Sequence, residues 1–269
     1  MRYNINAGTK GAACLRASAR EVPQRKMPML AGSTLAAWQK AAAELLFPQR
    51  ICVGCGAVSP GEPLCPSCRG LRQQLRSCPD CATFIRAGET EHYRCASCRH
   101  QKPSFAAARA ALPYEGVFRD RLLAFKYEQR TGLRRPLAAL MREVWQREYA
   151  GVTFDAVVPV PLHPDRLRQR GYNQAELLAG LLAKEGGLPC APDLLRRIKA
   201  TEPLAGLDRK GRIAEMRGAF AAAGCRGLRI LLIDDIFTTG ATAETAARAL
   251  LKEGAAAIYV LTAAAGRDL

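Results

Sequence analysis

Residues 230–242 read ILLIDDIFTTGAT and hold three kinds of chemically useful group within one short segment. Asp234 and Asp235 are adjacent carboxylates, Thr238, Thr239 and Thr242 carry hydroxyls, and Gly240 and Ala241 leave the backbone amides open to approach. The apolar run ahead of the acids predicts a doubly buried strand over 228–234. Such a strand delivers both carboxylates to its C-terminal edge, where open α/β sheets bind ligands. The loop then enters a helix, whose first amides and dipole favour an anion. That loop suits a 5′-phosphate, and paired carboxylates beside it suit the two hydroxyls of a ribose. An acidic pair alone would be an ordinary solvated loop; strand, acids, loop and helix in this order make a ligand site.

A second chemistry lies upstream. Eight of the eleven cysteines form four CxxC pairs: Cys52/Cys55, Cys65/Cys68, Cys78/Cys81 and Cys95/Cys98. Zinc takes four soft ligands in a tetrahedron, and each CxxC turn supplies two. The glycine closing CVGCG lets amides point at the thiolates. Two similar halves favour sequential sites, pairs one and two sharing one zinc and pairs three and four another, over interleaved ones. His92 and His100 could replace a thiolate, but complete pairs make them solvated side chains. A catalytic zinc keeps an open position and recruits histidine or carboxylate, so both sites read as structural. Cysteine pairs without an export signal also indicate metal binding in a reducing cytoplasm rather than disulfides.

The hydrophobic pattern predicts alternating helices and strands after residue 105. Strands are expected over 106–114, 155–162 and 255–262, with a short extended piece at 194–198. Helices are expected over 117–127, 133–149, 208–217 and 242–253, and another opens at Asn173, which with Glu176 has the spacing of a capping box. Strands separated by helices imply a parallel sheet with right-handed crossovers. The expected organisation is a basic tail (1–32), a helix (34–46) with a double zinc-ribbon-like module (33–104), and an α/β domain (105–269).

Composition limits the partners. Of 269 residues, 40 are Lys or Arg and 24 Asp or Glu, a formal charge of +16; two four-thiolate zinc sites would lower it to about +12. Such a surplus favours nucleic acid or phosphorylated ligands. No apolar run approaches the roughly 20 residues of a membrane span, and the first 30 residues lack the apolar stretch of a secretory signal, so a soluble, cytoplasmic protein is expected.

The segment 230–242 resembles the motif by which type I phosphoribosyltransferases bind 5-phosphoribosyl 1-pyrophosphate (PRPP). Three further segments narrow the likeness: LLAFKYE (122–128), VPVPLHPDRLRQRGYNQAELLA (158–179) and LDRKGRIAEMRGAF (207–220) look like the ComF family, also called ComF/GntX. Departures are Tyr172 in place of phenylalanine, Glu215 where asparagine is frequent, and Glu128-Gln129 where a glycine-rich turn usually follows FKY. The resemblance covers about residues 35–265 and implies a cysteine-rich zinc module joined to a type I phosphoribosyltransferase-like parallel sheet. It places a pyrophosphate loop after the strand ending near Val160, with Pro159 and Pro161 fixing the turn, a cis bond being one way. It brings Arg166, Arg168 and Arg170 to the pyrophosphate, and makes Lys126, Arg209 and Arg212 phosphate or nucleic-acid contacts. It also implies magnesium bound with PRPP, single-stranded DNA as partner during DNA uptake, and contact with other competence proteins. The competing expectation is a small-molecule phosphoribosyltransferase of unknown acceptor. A base-stacking aromatic near Asp235, such as Phe237, would favour it, whereas a continuous basic groove would favour DNA.

Overall fold

The computed structural model describes residues 51–73, 76–85, 94–200 and 209–267; the basic tail, the helix expected over 34–46 and His92 lie outside them. In chain order the first elements are α1 (Pro66–Gln73), β1 (Arg76–Ser77), β2 (Phe84–Ile85), α2 (Ala96–His100), β3 (Ala107–Pro113), α3 (Gly116–Tyr127) and α4 (Arg134–Glu148). There follow β4 (Ala156–Pro159), α5 (Pro164–Arg170), α6 (Gln174–Gly186), β5 (Leu195–Arg197), α7 (Arg209–Glu215), β6 (Phe220–Ala222), β7 (Arg229–Phe237), α8 (Ala241–Lys252) and β8 (Ala257–Ala265). The four long strands form a parallel sheet in the order β3-β8-β7-β4, and β5 pairs antiparallel with β6 beside it.

Alternation along β7 sorts the core. Ile230 and Leu232 pack with α8 on one face, while Leu231 and Ile233 pack with α3, α4 and α6 on the other. All four are fully buried, which is why the strand reads as a continuous apolar run. The sequence places the end of this strand at Asp234, but pairing with β8 continues through Ile236↔Ala264 and Phe237↔Ala265. The acids are therefore the sixth and seventh residues of a nine-residue strand, because the apolar pair after them still has a partner strand.

Residues 164–170, which carry the three arginines expected at the pyrophosphate, form a helix, α5: Pro164 opens it, and Gly171 closes it with a φ of 82°. The turn at Pro159 and Pro161 has no cis bond, as all described peptide bonds are trans. It is held instead by the Val160 amide donating to Ile233 O at 2.8 Å and Asn173 Nδ2 donating to Val160 O at 3.0 Å.

The cysteine segment straddles the sheet. Cys52 and Cys68 pack with α3 and α4, whereas Cys78, Cys81, Cys95 and Cys98 join the opposite core with α8. Backbone bonds tie it down: the Phe84 amide donates to Gly266 O at 2.9 Å, and the Ala108 amide to Asp80 O at 3.3 Å. No helix among the described residues is long and apolar enough to cross a membrane.

Candidate functional site: a polar cavity at the strand ends and two four-cysteine groups

The C-terminal ends of β4 and β7 open onto a cavity of about 220 Å³ lined by Lys126, Arg166, Arg170, Arg197, Asp234, Asp235, Thr238 and Thr242, among others. Each wall has a local cause. Asp234 and Asp235 arrive on β7. Lys126 comes from the last turn of α3, and its Nζ lies 3.1 Å from an Asp235 carboxylate oxygen. Gly240, with a φ of 75°, is the N-cap of α8, whose first residues Ala241 and Thr242 close the loop 238–242. A smaller adjoining cavity is lined by Thr238, Thr239, Gly240, Ala241, Thr242 and Arg212, whose Nη1 donates to Thr238 Oγ1 at 3.2 Å.

Charge in the cavity is unevenly compensated. Burial, then the neighbouring Asp235 carboxylate, push the Asp234 carboxyl up to about 7, against the opposing pull of Lys126. Burial works against the Lys126 charge, but the two aspartates outweigh it and hold its ammonium above the usual lysine range. Burial and the nearby Arg166 charge draw Arg197 below the ordinary guanidinium range. Cations crowded into a cavity at mutual cost are a seat for an anion that relieves them.

The three arginines of α5 separate. Arg166 and Arg170, one helical turn apart, line the cavity, and Arg170 Nη1 donates to Gln174 Oε1 at 2.8 Å. Arg168 lies on the other side of the helix, 73% exposed and paired with Asp165. Arg197 and Gln174 line the cavity without having been singled out in the sequence. The alternation of β5 gave Arg197 no distinguishing mark, and Gln174 looks like a first-turn helix residue. Phe237 is buried under Gly240 and meets Phe105 edge-on at 6.2 Å, so its ring is not available for base stacking.

The cysteines form two groups, Cys52/Cys55/Cys65/Cys68 and Cys78/Cys81/Cys95/Cys98, with the ligand atoms of each within 4.8 Å of one another. The pairing is sequential. Four convergent thiols with no histidine or carboxylate fit a closed, structural zinc site. At Cys52 burial opposes ionisation, but amides of Cys65, Cys55 and Gly54 donating to its sulfur bring it down to about 6. A side chain at Gly54 would meet Cys68 Sγ and Phe118 at 2.8 Å, which explains the glycine between the first two cysteines. Arg121 of α3 donates to the Gly54 and Cys55 carbonyls at 3.3 and 3.2 Å, coupling the first group to the helix that carries Lys126.

Residues 178–268 match the family model of the phosphoribosyl transferase domain. With the parallel sheet and the two four-cysteine groups, this defines a phosphoribosyltransferase-type domain joined to a cysteine-rich, zinc-binding type of module. The chain is 30% identical over 203 residues to Competence protein F of Haemophilus influenzae, covering 72% of this chain and 87% of that protein. It therefore belongs to the ComF family. DNA utilization protein YhgH of Salmonella typhi is 29% identical over 202 residues (73% of this chain, 88% of that one), and Competence protein ComFC of Bacillus subtilis 28% over 214 (74% and 82%). Among solved structures, glutamine PRPP amidotransferase of B. subtilis aligns over 53% of this chain and 30% of its own, at 18% identity and a TM-score of 0.37.

Proposed function

We propose that the cavity binds PRPP, or a phosphoribosyl group, with magnesium, and that the protein acts on single-stranded DNA during its uptake or use. The observation carrying the first part is the convergence of two carboxylates, a lysine, three arginines and a hydroxyl-bearing helix N-terminus on one 220 Å³ cavity. In this reading Thr238, Thr239, Gly240, Ala241 and Thr242 hold the 5′-phosphate, Asp234 and Asp235 hold the ribose hydroxyls, and Arg166, Arg170 and Arg197 face the pyrophosphate. Carboxylate oxygens and phosphates are the hard donors that magnesium prefers, so the donor set fits it; the ion would neutralise pyrophosphate charge. Lys126 holds the Asp235 charge in place for the ribose. The second part is supported by the names of the relatives and by the surplus of 16 positive charges. The acceptor-directed reading is not supported by Phe237, whose ring lies in the core.

Calorimetry with magnesium and PRPP tests the first part. Asp235→Asn should lose about 1.5–3 kcal/mol, roughly ten- to hundredfold in affinity; unchanged affinity removes Asp235 from the site. Fluorescence anisotropy with single-stranded DNA across a salt series tests the second. The logarithm of affinity should fall at about 0.7 per phosphate contact. Replacing Arg166, Arg168 and Arg170 together by alanine should flatten that slope by about two units. A flat parental slope would return the function to a small-molecule transferase.

A further inference from the structure

Tyr127 ends α3 immediately after Lys126 and is 67% exposed, the most exposed large hydrophobic side chain among the described residues. A lone exposed tyrosine is ordinary; this one is held. The guanidinium of Arg170 lies over its ring, 5.2 Å from the centroid, while the same guanidinium is anchored on Gln174 at 2.8 Å. Gln174 Nε2 in turn donates to the carbonyls of Lys126 at 3.2 Å and Phe125 at 3.5 Å, and the Tyr172 hydroxyl donates to the Phe125 carbonyl as well. The last carbonyls of a helix ordinarily need outside partners. Here α6 and its approach supply them, fixing the backbone from which Tyr127 projects.

Lys126, one residue back, and Arg170, which lies over the ring, both line the cavity, so the ring adjoins its lining without being part of it. The surrounding segments are basic: Lys126, Arg130, Arg134 and Arg135 against Glu128, and Arg166, Arg168 and Arg170 against Asp165. A rigid, exposed aromatic backed by a guanidinium and set among phosphate-seeking cations is the surface on which unstacked bases settle. Rigidity lowers the entropy lost on stacking.

We infer that Tyr127, braced by Arg170, is a stacking platform for a base of single-stranded DNA at the mouth of the phosphoribosyl cavity. The inference rests on the DNA reading above and adds a contact to the base itself, beyond those to phosphate. Stacking on an aromatic face is tolerant of sequence, so every base is accepted.

The test compares an oligothymidylate with an abasic oligomer of equal length by anisotropy at fixed salt. The parent should bind the thymidylate roughly five- to hundredfold more tightly. Tyr127→Ala should erase that difference while keeping two zinc ions and the salt slope, and Tyr127→Phe should restore it. Equal, measurable binding of both oligomers by the parent overturns the platform and leaves the DNA reading standing. A difference that survives in Tyr127→Ala also overturns the platform. Binding of neither oligomer overturns both. Displacement of the oligomer by stoichiometric thymidine monophosphate would give the ring to a free nucleotide and overturn the strand as its occupant.

Discussion

Asp234 and Asp235 are neighbours in sequence and differ in what surrounds their charge. Asp235 has the Lys126 ammonium at 3.1 Å, whereas Asp234 receives its firmest contact from the Asp235 amide, at 2.8 Å, and its carboxyl stands at about 7. A carboxyl raised on folding contributes stability that is complete below its unfolded value, near 4, and is lost as the pH climbs through 7. Ligand-free protein at pH 8 therefore carries an unfavourable buried charge. Asp234→Asn should stabilise it by about 1–3 kcal/mol at pH 8 and much less at pH 4, while weakening the magnesium–PRPP complex at least tenfold. Thermal melts at the two pH values check the first statement; an equal gain at both would show that charge is not the cause. Lys126→Met should raise the Asp234 midpoint further, read by carboxyl-carbon NMR, because it removes the nearest opposing charge.

At the scale of elements, the loop 238–242 depends on one backbone conformation. A methyl at Gly240 would stand 2.6 Å from the Phe237 ring, at a φ of 75° that side chains seldom adopt. Gly240→Ala should cost about 1–3 kcal/mol in denaturant titrations and weaken PRPP at least tenfold, since the ring and the loop cannot both stay where they are. How much of this was legible varies with the element. The β7 strand, the loop and α8 announce themselves through composition and order. The four cysteine pairs do so through spacing, and their likeness in halves gave the sequential pairing. The split of Arg166 and Arg170 from Arg168 was not legible, because a basic stretch has no visible face until its helix is known. Arg197 and Gln174 act through contacts across more than 30 residues of chain, for which one sequence has no signal. Gln129 shows the converse: it takes a φ of 53° where the family resemblance led one to expect glycine, so the turn keeps its shape at some cost.

For the whole molecule, the cysteine groups are divided between the two cores of one sheet. The first braces α3, and with it Lys126; the second shares a cavity lining with Thr238 and Thr239. Metal analysis of reduced protein should give two zinc ions per chain. Cys78→Ser and Cys52→Ser should each release about one, since metal binding in such sites is folding free energy. One zinc or none in the parent would sink the two-site reading.

Behind the loop, a space of about 150 Å³ has Thr238, Thr239 and Phe237 on one side and Cys81, Cys95 and Cys98 on the other. Two coupled binding events change each other's affinity by the same factor. In the phosphoribosyl reading proposed above, ordering of Thr238 and Thr239 by the ligand is expected to reach the thiolates that share this lining. A chelator competing for the second zinc should therefore need a higher concentration when magnesium and PRPP are present, and protein stripped at that site alone should lose PRPP affinity by the matching ratio. A cell poor in zinc would then meet the shortage as a weakened grip on a sugar phosphate together with a loosened second cysteine group.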